Sequence, residues 1–337
     1  MALLNRYGEA KGGKKLSDVL SDQTEHSFSS LASFEANIEA VDACLGFAIG
    51  LKKPEVGGSA QVVVVGPSGW GKSHLLDAVT HDLGKATDPI HVERANVGEA
   101  PSNIDVAAPL LLEDVQESLG RPRLRQILQV GLERRVRAGR PTILAFTLPK
   151  PTRTLRAFLP FPRAWEIVEM GEPVGEEREK LLLQMGESEG LALSPALGRI
   201  LARHMHGNGR TLSGALKRLR LSGSEWLDNP STLRAVGLLD PFFADNSAWD
   251  LKDRVLKAAE EAHPRFGRVV ASDLALYTLL HEARLNELDV ARAARTAPAD
   301  AYQRAARFRA RIESDPGASA YVRQFIDVVV DGLQRED

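Results

Sequence analysis

Residues 61–79 read Gln-Val-Val-Val-Val-Gly-Pro-Ser-Gly-Trp-Gly-Lys-Ser-His-Leu-Leu-Asp-Ala-Val. Val62 to Val65 form a short apolar, β-branched run, the pattern of a buried strand in a parallel sheet. Gly66, Gly71, Lys72 and Ser73 then fit a G-x-x-x-x-G-K-S/T phosphate loop, with an extra glycine at Gly69. Leu75, Leu76 and Val79 continue at helical spacing. A chance glycine turn would explain the glycines but not the strand before them and the helix after them. Glycines let the backbone wrap a phosphate with its N–H groups pointing inward, and the helix N-terminus adds positive potential. The candidate nucleotide site is Gly66, Pro67, Ser68, Gly69, Trp70, Gly71, Lys72, Ser73 and His74. Lys72 is expected to reach the β- and γ-phosphates of ATP, and the Ser73 hydroxyl to ligate Mg²⁺.

Downstream, Leu110 to Leu112 form a second apolar run that ends in Glu113 and Asp114. A buried strand there delivers acidic groups to the sheet edge that carries the phosphates. One carboxylate is expected to hold Mg²⁺ through water and the next to orient the attacking water. The competing reading is a strand that ends in a solvated acidic turn. A possible strand lies near Ile90 to Val92, and another covers Thr142 to Phe146, followed by Thr147. Residues 121–138 place Leu124, Ile127, Leu128, Leu132 and Val136 on one helical face. Arg121, Arg123, Arg125, Arg134, Arg135 and Arg137 mostly lie elsewhere, on a face expected to be solvated or to meet a subunit or DNA. Strands alternating with helices after a phosphate loop give a parallel α/β sheet.

Upstream, Ile38, Val41, Leu45 and Ala48 mark a helix, and residues 1–25 read as a polar tail. Residues 149–163 are proline-rich and read as an extended loop. Residues 176–220 look helical, with breaks at Ser194-Pro195 and Gly207-Asn208-Gly209. A second helical region runs from Trp249 to the end, without strand-like alternation or zinc-ligand spacing.

A length of 337 residues accommodates two or three domains, and 26% charged with 43% hydrophobic residues is a globular composition. The net charge of −2 excludes a polycation, so any nucleic-acid contact must come from a local patch. Cys44 is the only cysteine, so no internal disulfide forms, no disulfide-linked partner is expected, and a reducing cytoplasm is the expected setting. No apolar run approaches a membrane span, and the N-terminus lacks an apolar signal core.

Gly-Pro-Ser-Gly-Trp-Gly-Lys-Ser-His-Leu-Leu (66–76), Leu-Leu-Leu-Glu-Asp-Val-Gln (110–116) and Gly-Arg-Thr-Leu-Ser-Gly-Ala-Leu-Lys-Arg-Leu (209–219) resemble the bacterial replication initiator DnaA and its shortened relative Hda, which are AAA+ ATPases. The third motif is the most specific. The family has Arg-Glu-Leu-Glu-Gly-Ala-Leu in its helical lid, where the arginine contacts the γ-phosphate, and Arg210 matches it. The resemblance implies that Glu113 takes the Mg²⁺-side position, Asp114 orients water and Thr147 stands where the family has an aspartate sensor. Arg163, before Ala164-Trp165, is the candidate arginine finger acting on a neighbouring subunit, with Arg156 as rival. Phe28 and Phe34 resemble the segment that encloses adenine.

The resemblance divides the chain into a polar tail (1–25), an α/β AAA+ core (26–170), a helical lid (171–235), a linker (236–248) and an all-α C-terminal domain of helix-turn-helix ancestry (249–337). It implies ATP or ADP with Mg²⁺ as cofactors, and self-association or a DnaA-type AAA+ partner. The ATPase pattern begins almost at once, leaving no N-terminal helicase-binding domain, and no clamp-binding peptide lies near residue 1. The stretch before Leu110 is too short for the helix that marks initiators and handles single-stranded DNA. The family's Arg-Asp-His-Ser/Thr-Thr recognition motif falls on Thr296-Ala297-Pro298-Ala299-Asp300, which cannot supply a bidentate arginine contact to guanine. Arg292, Arg295, Arg304 and Arg307, with Arg309 and Arg311, offer weak backbone-type DNA binding, or else a solvated helix face. The expected role is ATP-dependent assembly in initiating or regulating chromosomal replication, with weak ATP hydrolysis. The alternatives are a nucleotide-binding regulator with little hydrolysis, and a helicase-loader or transposition-type ATPase.

Overall fold

The valine run of the phosphate-loop strand is buried on both sides, and its alternation separates two cores. In the computed structural model, Val62 and Val64 face one cluster while Val63 and Val65 face the other. The structure describes residues 27–28, 31–97, 104, 106–222, 231–243, 249–266 and 268–335. The polar tail at 1–25 and the linker's end at 244–248 lie outside the described residues.

Two compact units make up the chain, Met1–Pro173 and Val174–Asp337. The first holds a five-stranded sheet in the order β2-β3-β4-β1-β5, with every pair parallel. Its strands are β1 (Gln61–Gly66), β2 (Glu93–Asn96), β3 (Leu110–Glu113), β4 (Thr142–Thr147) and β5 (Glu166–Glu169). Helices α1 (Ile38–Lys52) and α2 (Lys72–Gly84) cover one face, packing Phe47, Leu75 and Leu76 with Val62, Val64 and Leu111. On the other face, α3 (Pro122–Arg137) and α4 (Arg153–Phe158) pack Leu128, Leu132 and Phe158 with Val63, Leu110 and Phe146. Because all strands run parallel, the loop after β1, the acids closing β3 and Thr147 at the end of β4 share one sheet edge.

Three expectations need correction. The strand expected near Ile90 to Val92 is β2, Glu93–Asn96. Ile90 instead donates its N–H to the Leu83 carbonyl at 3.1 Å, and Ile90 and Val92 pack on the core from the approach to the strand. The proline-rich segment 149–163 contains helix α4 between its prolines. Thr152 caps that helix, its hydroxyl accepting the Leu155 N–H at 3.1 Å, and Leu155 and Phe158 are buried beneath it.

The arginines of α3 are not all solvated, because Arg135 is 0% exposed. Its Nε donates to Thr142 Oγ1 at 2.9 Å. Its Nη1 donates to the carbonyls of Ile104 (3.2 Å) and Val106 (2.6 Å), and its Nη2 to those of Ala108 (2.9 Å) and Pro141 (2.8 Å). Five acceptors on two segments thus converge on one guanidinium, the planar fork that can serve them at once.

The second unit contains no strand among its described residues. Its helices are α5 (Glu176–Ser188), α6 (Pro195–His204), α7 (Gly209–Leu221), α8 (Thr232–Leu238), α9 (Leu251–Phe266), α10 (Arg268–Tyr277), α11 (Glu287–Ala293), α12 (Pro298–Ser314) and α13 (Pro316–Gln334). Both sequence breaks are helix starts. Ser194 Oγ accepts the Leu197 N–H at 3.2 Å, and Asn208 Oδ1 accepts the Arg210 N–H at 3.0 Å. Helix α13 packs on α6, α8 and α9. His204 Nε2, on α6, lies 2.8 Å from the Leu333 carbonyl, and Trp249 stacks on Phe243 at 4.0 Å. Among the described residues no helix is long and apolar enough to cross a membrane.

Arg135→Ala is expected to leave buried carbonyls without a donor, at about 1–3 kcal/mol for each one that water cannot reach. Chemical denaturation should show a loss on the order of 3 kcal/mol or more. Arg135→Lys should recover little of it, because an ammonium cannot span five acceptors. A midpoint unchanged in Arg135→Ala would refute this account.

Candidate nucleotide-binding site

The phosphate loop starts where β1 has no room for a side chain, since a Cβ at Gly66 would overlap the Met170 carbonyl oxygen. Gly69 (φ 81°) and Gly71 (φ 93°) take left-handed conformations that favour glycine. Helix α2 then begins at Lys72, so its first N–H groups face the loop. Lys72 is only 8% exposed, and its ammonium donates to the loop's own carbonyls, Gly66 O at 2.9 Å and Pro67 O at 2.7 Å. Ser68 and Ser73 are exposed, Pro67 and His74 are half-buried, and Trp70 is buried.

Beside the loop, Ser73 Oγ donates to Glu113 Oε2 at 2.5 Å. The other oxygen of that carboxylate accepts from Arg94, whose Nε lies 2.7 Å and Nη2 2.6 Å from Glu113 Oε1. Arg94 also bonds Asp77 on α2 through Nη1. Burial alone would lower the Arg94 guanidinium, but its hydrogen bonds to Asp77 and Glu113 and their charges hold it above its ordinary value.

Asp114 follows β3 in a left-handed conformation, φ 54°. Asn96 Nδ2 donates to Asp114 Oδ2 at 2.7 Å, and Gln116 Nε2 to Asp114 Oδ1 at 3.0 Å. Gln116 Oε1 accepts the Thr147 backbone N–H at 2.8 Å, so one amide links the end of β3 to the end of β4. The edge thus gathers Lys72, Ser73, Glu113, Asp114 and Thr147. It also gathers Arg94, Asn96 and Gln116, which sequence reasoning gave no role. Arg94 and Asn96 alternate along β2, whose polar sequence gives no apolar strand signal.

The other expected residues have the following settings within their own units. Arg163 is exposed on the short turn Pro162–Ala164, and Arg156 is exposed on α4. Phe28 packs against the α1–α2 core, and Phe34 donates its N–H to Asn37 Oδ1 at 2.9 Å. Arg210 is exposed at the start of α7 in the second unit. In that unit Arg304 donates to Asp273 Oδ1 and Ser272 Oγ, both at 2.7 Å, and Arg292 lies 3.7 Å from Asp289. Arg295 (φ 51°) and Arg307 are exposed. Asp300 accepts from the Thr296 hydroxyl at 2.8 Å.

The Ser73 hydroxyl and the Glu113 carboxylate are hard oxygen donors that suit Mg²⁺, which binds through one or two protein groups plus phosphate oxygens. Among the described residues no group of three or more His, Cys, Asp or Glu side chains could hold a metal without such a ligand. The donor set therefore fits a metal that arrives with phosphate, while Arg94 already supplies positive charge to the same carboxylate.

This fold is also that of known structures. Domain III of the Thermotoga maritima replication initiation protein DnaA aligns at 18% identity over 65% of this chain and 97% of that one, with a TM-score of 0.54. AMPPCP-bound DnaA from Aquifex aeolicus aligns at 16% identity over 91% and 98%, TM-score 0.51. The fold is that of these DnaA structures. A replication initiator DnaA bound to AMPPCP and single-stranded DNA also matches, at 16% identity over 92% and 98%, TM-score 0.50. No family model and no curated protein matches the sequence. The likeness between this chain and those structures therefore lies in the backbone, with most side chains replaced.

Gly66→Ala tests the loop's anchorage. Its methyl would overlap backbone, which cannot swing aside, so a destabilisation of about 1–3 kcal/mol or more is expected in chemical denaturation. A fully stable Gly66→Ala chain would contradict the close approach.

Proposed function

We propose that this chain binds ATP and ADP at Gly66–His74. It then acts as a DnaA-like protein in initiating or regulating chromosomal replication, through ATP-dependent assembly. The observation that carries the reading is Lys72, a nearly buried ammonium held by two loop carbonyls at the start of a helix. Phosphate oxygens would replace those neutral acceptors with charged ones, which bind an ammonium more strongly. Two DnaA structures of similar fold hold AMPPCP, an ATP analogue.

In this reading Ser73 and Glu113 would hold Mg²⁺, which would neutralise phosphate charge when bound. Asp114 would orient the attacking water, with Thr147 beside it. Arg210 would meet the γ-phosphate, and Arg163 would serve a neighbouring subunit. The assembly partner is a second copy or a DnaA-type AAA+ protein. Exposed Arg292, Arg295 and Arg307 would give weak, salt-sensitive contact with a DNA backbone. A single buried cysteine is compatible with a reducing cytoplasm.

A specific observation favours a slow switch over a fast ATPase. Both oxygens of Asp114 accept from side-chain amides, which hold the carboxylate in place and leave it fewer lone pairs for a water. Slow turnover that rises with self-association follows, because an arginine finger in related phosphoryl transfers is worth about 10³–10⁵ in rate.

Binding of a fluorescent ATP analogue tests the core of the proposal. Lys72→Ala should abolish it, and unchanged affinity would remove the reading. Turnover should rise with protein concentration and fall in Asp114→Asn, so fast, concentration-independent hydrolysis would refute the switch. Arg94→Ala should make nucleotide affinity more dependent on Mg²⁺, because the carboxylates of Asp77 and Glu113 would then meet the phosphates without their guanidinium. The ratio of affinities with Mg²⁺ and with EDTA measures this, and an unchanged ratio would deny Arg94 that role.

A further inference from the structure

The carboxamide of Gln116 meets two groups of opposite kind. Its Oε1 accepts the Thr147 backbone N–H at 2.8 Å, and its Nε2 donates to Asp114 Oδ1 at 3.0 Å. A backbone N–H can only donate, and an ionised carboxylate can only accept. The partners therefore fix how the amide is turned, oxygen toward β4 and nitrogen toward Asp114. A carboxylate in its place would serve Thr147 and repel Asp114, and an ammonium would do the reverse. A carboxamide, with both kinds of atom on one plane, serves the two together.

The backbone that carries Gln116 is anchored on both sides. Val115–Ser118 is a short 3₁₀ turn in which Val115 and Ser118 are buried, and the Ser118 hydroxyl donates to the Val115 carbonyl at 2.7 Å. Just before the turn, Asp114 stands in the left-handed region at φ 54°, its carbonyl accepting the Glu117 N–H at 3.0 Å. A residue other than glycine held there costs on the order of 1–3 kcal/mol and persists only where its surroundings over-determine it. Asn96 holds the second oxygen of Asp114 from β2, at 2.7 Å. The Asp114 carboxylate is thus placed from β2 on one side and, through Gln116, from β4 on the other.

We propose that Gln116 is a positioning residue for ATP hydrolysis, setting the direction in which the Asp114 carboxylate faces the attacking water. The proposal rests on the reading of Asp114 as the water-orienting group. In that step the water oxygen bonds to the γ-phosphorus as the bond from that phosphorus to the ADP oxygen breaks. The bonding pair leaves with ADP, one water proton stays on the phosphate, and the other passes by way of the Asp114 carboxylate to solvent. Such a carboxylate works by its place, and a misplacement of about 1 Å can cost on the order of 10²-fold in rate. Nucleotide affinity, which the same reading assigns to the phosphate loop and Lys72, does not pass through Gln116.

The test pairs nucleotide binding with single-turnover hydrolysis in the full-length chain with Mg²⁺. Gln116→Met keeps the length of the side chain and removes both of its hydrogen bonds. Turnover is expected to fall about 10–100-fold, with the affinity for a fluorescent ATP analogue kept. Gln116→Glu keeps the acceptor for Thr147 and loses the donor to Asp114, so it should fall at least as far. In an Asp114→Asn background neither change should have a further effect, because Gln116 acts through that carboxylate. Unchanged turnover in Gln116→Met overturns the proposal, and so does an undiminished further loss in the Asp114→Asn background. Lost nucleotide affinity in both Gln116 variants also overturns it, by making the side chain a part of the fold alone. An unaltered chain that binds ATP without hydrolysing it overturns the proposal and leaves the nucleotide site standing. An unaltered chain that binds no ATP removes the reading beneath both.

Discussion

A guanidinium buried in a protein is costly unless its donors are met, and Arg135 is met by five acceptors. The acceptors are not scattered. Ile104, Val106 and Ala108 lie on the approach to β3, while Pro141 and Thr142 lead into β4. One side chain on α3 thereby fixes the entry of both strands. The exit of β3 is Glu113 and Asp114, only a few residues further on. Residue positions at the carboxyl edge depend on where each strand starts, since a strand shifted by one residue turns each side chain to the opposite face. Arg135 is thus structural in position and functional in consequence.

At that edge the charges are arranged around Glu113. Ser73 donates to one oxygen and Arg94 to the other, and Arg94 extends to Asp77. Without phosphate, the arginine balances two carboxylates that would otherwise repel. With phosphate, new negative charge would enter the same space, and the fixed guanidinium would favour it. Lys72 is arranged in the same way, with its ammonium held on neutral carbonyls. Both cations are immobilised before any ligand arrives, so less ordering has to accompany binding.

The sequence showed the parts of the fold that follow simple rules. β1, β3 and β4 are apolar runs because each is buried on both faces, and the phosphate loop has fixed spacing. Strand β2 was misplaced because an edge strand need not be apolar, and its two working residues, Arg94 and Asn96, are polar. Arg135 was assigned to a solvated face because periodicity cannot say which of six arginines meets a ring of carbonyls. Helix α4 was hidden by prolines that flank it. At the site, the residues on the loop and at the strand ends were legible. Their partners were not, because pairings between distant segments depend on register.

The second unit also joins what the sequence separates. Helix α7, which carries Arg210 as its second residue, follows a turn held by Arg178, whose guanidinium donates to the carbonyls of Met205 (2.8 Å) and Gly207 (3.0 Å). Further along, Arg218 on α7 donates to the Leu238 carbonyl at the end of α8, at 2.9 Å. Helix α6 meets the last helix through His204 and Leu333, and the Trp249 indole packs on both His204 and Phe243. A rotation of α7 against α8 would break the Arg218 bond, and a rotation of α6 against the last helix would break the His204 contact. A hydrogen bond contributes about 1 kcal/mol and an aromatic pair about 0.5–1.5 kcal/mol beyond its area, before the shared apolar core is counted. Motion of the unit as one body breaks none of them. Helices α6 and α8, which flank α7 in the sequence, thus pack directly on the last helix, and α7 is joined to it through α8.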